Sequence, residues 1–197
     1  MPAAAISEVV WYVTGRFYAP DNSTAVADYG YFLHVAGIAE PLFQGKISET
    51  SAHLTFAAKP FVPVHGGVNN DALAIGLDPV GEFSVYLQRT PAGNFDTPSS
   101  FAQGERIATF RRIGLVVGTT LERGTAPTQK PLIGSNVFSA RLIESRSFDF
   151  GTGRYDFADI VGHGVTQFGF AASAGVQPPP AGYESVVAFT GSAIRLG

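Results

Sequence analysis

The chain has 197 residues, 45% of them hydrophobic and only 15% charged, with a formal net charge of -3 and a sequence pI near 5.8. That length buries one substantial core, so residues 1–197 read as a single domain, and the composition excludes a disordered chain. The slight acidity leaves no basic footprint for nucleic acid, and the absence of cysteine excludes disulfides, thiolate nucleophiles and Cys-ligated zinc or iron–sulfur centres.

The opening Met1-Pro2-Ala3-Ala4-Ala5-Ile6-Ser7-Glu8 carries neither a basic nor an apolar leader segment. No later stretch approaches the ~20 apolar residues of a membrane-spanning helix, so the expectation is a cytoplasmic protein without a membrane partner. Val9 to Tyr18 then alternates Trp11, Val13, Gly15 and Phe17 against Tyr12, Thr14 and Arg16, the period-2 pattern of a strand with one more polar face. Ala19-Pro20-Asp21-Asn22 ends it in a turn, which also accounts for the Asn22-Ser23-Thr24 acceptor pattern. Thr24 to Ile38 reads as an aromatic-rich strand with a bend at Gly30, and Ser51 to Val64 as a third strand broken by Pro60 and Pro63.

His65 to Asp71 reads as a loop, and the runs Ala72–Leu77 and Glu82–Arg89, flanking Asp78-Pro79-Val80-Gly81, as a hairpin. Between Pro91 and Phe101, Asp96 or Thr97 is placed to cap a single helical turn begun by Pro98, the one helical piece expected. Arg106 to Thr120 resumes as a long strand, Gly124 to Gly134 as a polar loop. Asn136–Phe150, Tyr155–Phe170 and Tyr183–Leu196 are the last three strands, separated by Gly151-Thr152-Gly153 and by the Gly175–Pro180 stretch. Eight to nine strands with little or no helix, several long and glycine-bent, predict an all-β antiparallel barrel. Many strands are apolar on both faces, which predicts an apolar lumen inside and a homo-oligomeric contact, dimer or trimer, outside.

Candidate chemistry is sparse. His34, His53, His65 and His163 are scattered without metal-ligand spacing, so neither a metal nor any other cofactor is expected. Strict alternation puts His34 on the face of Phe32 and Ala36, a lumen imidazole able to act as acid or base; His53 shares a face with Glu49 if that strand begins early. His163 stands between Gly162 and Gly164, which gives either room for a ligand or a strand bend with a solvent-facing ring. Arg111 and Arg112 are adjacent, so one of the two must face the interior, and Glu144 on the following strand is the partner expected for it. His34, Arg111 and Glu144 are therefore the candidate catalytic residues, and Tyr31, Phe32, His53, Phe110 and His163 the candidate ligand contacts. Gly-x-Ser-x-Gly is absent, and Gly151-Thr152-Gly153 lacks the helix and Lys of a phosphate loop, which disfavours serine and nucleotide chemistry.

Phe148-Asp149-Phe150-Gly151-Thr152-Gly153-Arg154-Tyr155-Asp156-Phe157, followed by Val161-Gly162-His163-Gly164 and preceded by Phe101-Ala102-Gln103-Gly104-Glu105, resembles the glycine-rich hairpins of barrels related to allene oxide cyclase and dirigent proteins. The likeness covers about a quarter of the chain and carries over no functional residue. It implies a small barrel whose lumen shapes a reactive apolar molecule. The expected function is a cofactor-independent cyclase or isomerase of a hydrophobic small molecule, natural-product or lipid-like. The alternatives are a carrier for such a molecule and a structural module with a filled lumen.

Overall fold

The computed structural model describes residues 8–23, 25–60, 68–70, 73–78, 81–123, 130–172 and 174–196. Its strands are β1 (Val9–Pro20), β2 (Ala27–Val35), β3 (Leu54–Ala58), β4 (Val68–Asn70), β5 (Leu73–Asp78), β6 (Glu82–Leu87), β7 (Glu105–Arg123), β8 (Lys130–Ser145), β9 (Phe148–Phe150), β10 (Gly153–Tyr155), β11 (Gly164–Ala171) and β12 (Tyr183–Leu196). A 3-10 turn occupies Pro98–Ala102 and one short helix, α1, occupies Phe157–Val161.

Eight strands close into an antiparallel barrel in the order β7-β6-β3-β2-β1-β12-β11-β8, with β8 returning to β7. Closure leaves the ring without an edge, and alternation fixes which side chains enter it. On β1, Trp11, Val13 and Phe17 point inward and are buried, while Tyr12 is exposed and Thr14 and Arg16 are half-buried. Gly15 and Gly30 face each other across β1 and β2. A Cβ on Gly30 would fall 2.2 Å from the Thr14 carbonyl and 2.7 Å from the Phe56 ring, and one on Gly15 2.9 Å from the Phe189 ring. The two aromatic rings thus occupy the volume that side chains at 15 and 30 would need, so larger residues there would push the wall apart.

β7 is 19 residues long and offers two pairing sites on one edge. Glu105–Arg111 pairs with β6, and Val116–Leu121 with β5, which in turn carries β4. The expected β5–β6 hairpin is therefore replaced by two short strands set end to end along β7. Val68–Asn70, expected in a loop, is a strand, and β8 begins at Lys130, inside the expected 124–134 loop, because it follows the extended arm of β7. The expected strand positions 61–64 lie outside the described residues.

The segment expected as one strand from Tyr155 to Phe170 is instead β10, α1 and β11. Asp156 caps α1: its carboxylate accepts from the Ala158 N–H at 2.9 Å, from Ser147 Oγ at 2.9 Å and from Ser145 Oγ. Phe157, Ile160 and Val161, spaced for one helical face, are all buried, and Gly162 at φ 62° ends the turn. Helix and β9–β10 hairpin close one end of the barrel, Phe157 packing against Trp11, Phe32, Phe110 and Phe148.

Outside the barrel, the loop around the Pro98–Ala102 turn covers part of the wall. Tyr18 Oη donates to the Phe95 carbonyl at 2.8 Å, Thr55 Oγ1 to the Phe101 carbonyl at 2.7 Å, and Gln88 Nε2 to the Ser100 carbonyl at 2.8 Å. Tyr31, Ala52 and Phe101 form a satellite core there. The apolar outer face of β2 and β3 is thus covered by the chain's own loop. On the remaining wall a row without Asp, Glu, Lys or Arg runs in register through His34, Tyr12, Ser192, Phe168 and Val137, with Phe170 beside it and 66% exposed. No helix of the described residues is long and apolar enough to cross a membrane.

Candidate functional site

The inward positions of β1, β2, β3, β6, β7, β8 and β11 converge on a narrow lumenal pocket. Its apolar lining is Trp11, Val13 and four phenylalanines, Phe32, Phe56, Phe83 and Phe138. Three polar side chains enter the same space: Asp28 from β2, Arg112 from β7 and Gln167 from β11. The pocket holds about 20 Å³ in which the centre of a water molecule fits, on the scale of a single buried water.

Arg112 Nη2 donates to Asp28 Oδ1 at 2.8 Å, and the two side chains are 5% and 8% exposed. Because β7 and β2 are separated by β6 and β3 around the ring, this ion pair spans the lumen from wall to wall. The guanidinium carbon lies 4.8 Å from the Phe138 ring centroid and 5.6 Å from that of Phe83, so aromatic faces supply part of what water would. Beside it, Trp11 Nε1 donates to Gln167 Oε1 at 2.9 Å in a buried bond. Gly191 gives that amide its place, since a Cβ there would fall 3.0 Å from Gln167 Nε2.

The sequence expectation that one arginine of the adjacent pair faces inward holds for Arg112, but the partner is Asp28 rather than Glu144. Arg111 points outward and pairs with Glu82 at 2.9 Å. Hydrogen bonds from Lys59 and Arg111 hold the Glu82 carboxyl below its ordinary range. Glu144 pairs at the surface with Arg106 and Arg146, at 3.3 and 2.8 Å. His34 is exposed as well, for a specific reason: the β1–β2 register jumps between Tyr12–His34 and Val13–Phe32, leaving Leu33 as a bulge. One extra residue moves everything beyond it to the other face. His34, Arg111 and Glu144 therefore stand at three separate surface positions and do not meet in the lumen.

Of the expected ligand contacts, Phe32 lines the pocket and Phe110 packs beneath it against Trp11 and Phe83. Tyr31 faces outward into the satellite core, where burial pushes its phenol pKa up. His53 Nδ1 donates to the Gln88 carbonyl at 2.8 Å instead of pairing with Glu49, and its ring rests against Phe150. His163 is the exposed residue of the turn before β11. His65 lies outside the described residues. Among the described residues no group of three or more His, Cys, Asp or Glu is placed to hold a metal.

Asp28, Gln167 and Trp11 are the site residues that sequence reasoning passed over. The signal was present: Asp28 shares parity with Gly30 and Phe32, and Gln167 with Val165 and Gly169, so each is a polar residue within an inward-facing set. Comparisons of the chain with protein-family models, curated proteins and solved structures return no match.

Proposed function

We propose that the barrel is a receptor for a small, mainly apolar molecule, bound in the lumen against the Asp28–Arg112 pair. The observation that carries this reading is the pair itself. A buried ion pair contributes little net stability compared with apolar residues of the same volume, so a barrel that only had to be filled gains nothing by keeping one. Aromatic walls with a few convergent polar groups are the composition of a ligand site. The free space holds about one water, so even a single-ring occupant is seated only as the phenylalanine side chains turn aside.

The same arrangement supports a second reading, a cofactor-independent cyclase or isomerase. Opposite charges fixed within an apolar pocket stabilise charge separating in a confined substrate, and confinement supplies orientation. The reaction class comes from the resemblance to allene oxide cyclase and dirigent barrels, the charge pair from the structure.

Native mass spectrometry of the purified protein, alone and with a set of single-ring fragments, tests the proposal. The expected result is a one-to-one adduct on the wild type that disappears in the volume-matched double variant Asp28→Leu/Arg112→Met. A bound compound recovered in altered form supports the enzymatic reading. Identical adducts on both proteins would remove the Asp28–Arg112 pair as the binding determinant, and none on either would leave the barrel a structural module.

A further inference from the structure

The lumen carries open hydrogen-bonding capacity of two kinds. Asp28 accepts one hydrogen bond among the described residues, at Oδ1, although a carboxylate has about four acceptor sites. Gln167 is engaged at Oε1 by Trp11, while its Nε2 has no hydrogen-bond partner among the described residues. Both side chains are more than nine-tenths buried and both line the one pocket. An occupant is therefore asked to donate to Asp28 and to accept from Gln167.

Charge narrows the class. Arg112 and Asp28 cancel within the lumen. A carboxylate entering the pocket would meet Asp28 at close range in a medium that screens poorly, and an ammonium would meet Arg112. A hydroxyl is neutral, donates and accepts through one atom, and matches the single-water scale of the free space.

Resting on the lumen-binding reading above, we infer that the head group this pocket takes is a neutral hydroxyl, so that the ligands are small apolar alcohols or phenols and not carboxylic acids or amines. Trp11 is the only tryptophan in the chain and its indole N–H ends on Gln167, so one NMR resonance reports the pocket directly.

The test titrates the full-length protein with phenol, toluene, benzoate and benzylamine while following that indole resonance. Phenol is expected to shift it saturably and to bind about two- to tenfold more tightly than toluene for each hydrogen bond gained. Benzoate and benzylamine are expected to leave it in place, and Gln167→Met to bring phenol closer to toluene. Benzoate or benzylamine outcompeting phenol, or toluene equalling it, overturns the hydroxyl assignment and leaves the lumen reading standing. A phenol preference undiminished in Gln167→Met removes Gln167 as the donor. No shift with any of the four compounds overturns the lumen reading and the inference together. The wild-type series decides the head group even where the variant does not fold.

Discussion

At the scale of single residues, the lumen turns on whether Asp28 and Arg112 are retained for stability or for a ligand. Removing either one leaves a buried charge uncompensated, and Asp28→Leu or Arg112→Met alone is expected to cost about 3–5 kcal/mol by denaturant unfolding. The double variant removes both charges and is expected to be as stable as the wild type or more so. A double variant as unstable as the singles would mean that the pair is a structural tie. Much of this was legible in the sequence as parity. Adjacent arginines had to face opposite ways, and Arg112 does face inward. Nearness along neighbouring strands points to Glu144 as the partner, whereas closure of the ring brings β2, and with it Asp28, opposite β7.

At the scale of elements, α1 shows how a local rule outweighs a strand-like pattern. Asp156 with its serines, then Phe157, Ile160 and Val161 at helical spacing, is an N-terminal signature that two flanking aromatic runs obscured. Phe157 is fully buried among four other rings, so Phe157→Ala is expected to destabilise by roughly 3–5 kcal/mol in thermal or chemical unfolding. Asp156 adds a pH dependence. Burial opposes its ionisation, but hydrogen bonds from Ser145, the Ala158 N–H and Ser147 outweigh that and hold its pKa below the ordinary value. A depressed carboxyl contributes stability that is present above the unfolded-state pKa of about 3.9 and lost as pH falls through the folded value. The wild type is thus expected to lose stability below about pH 4, and Asp156→Asn, which still caps, to lose less; equal acid sensitivity in both would remove Asp156 as the source. The bulge at Leu33 is the counterpart on β2. Nothing in the alternation of Phe32, Leu33 and His34 announces it, and it alone turns His34 from the lumen to the surface.

At the scale of the whole molecule, the all-β antiparallel barrel was readable because many alternating or doubly apolar strands, several of them long, leave few other ways to bury both faces. The pairing of β5 and β6 along β7 was not, because neighbours in sequence are the default partners and only the length of β7 allows two strands to share its edge. The doubly apolar pattern in the sequence predicts a lumen plus a subunit contact. On the outer face of β2 and β3 the cover comes from within the chain, through the loop that packs Phe95 and Phe101 over Tyr31. The lumen that results is narrow, aromatic and crossed by an ion pair, and its occupancy is the central claim. The most direct measurement is a crystal structure of the wild-type protein equilibrated with phenol. Ring-shaped density is expected in the lumen, its hydroxyl between Asp28 and Gln167 and the surrounding phenylalanines turned aside. Phenol found only against the outer wall, with Asp28, Arg112 and Gln167 undisturbed, would contradict it.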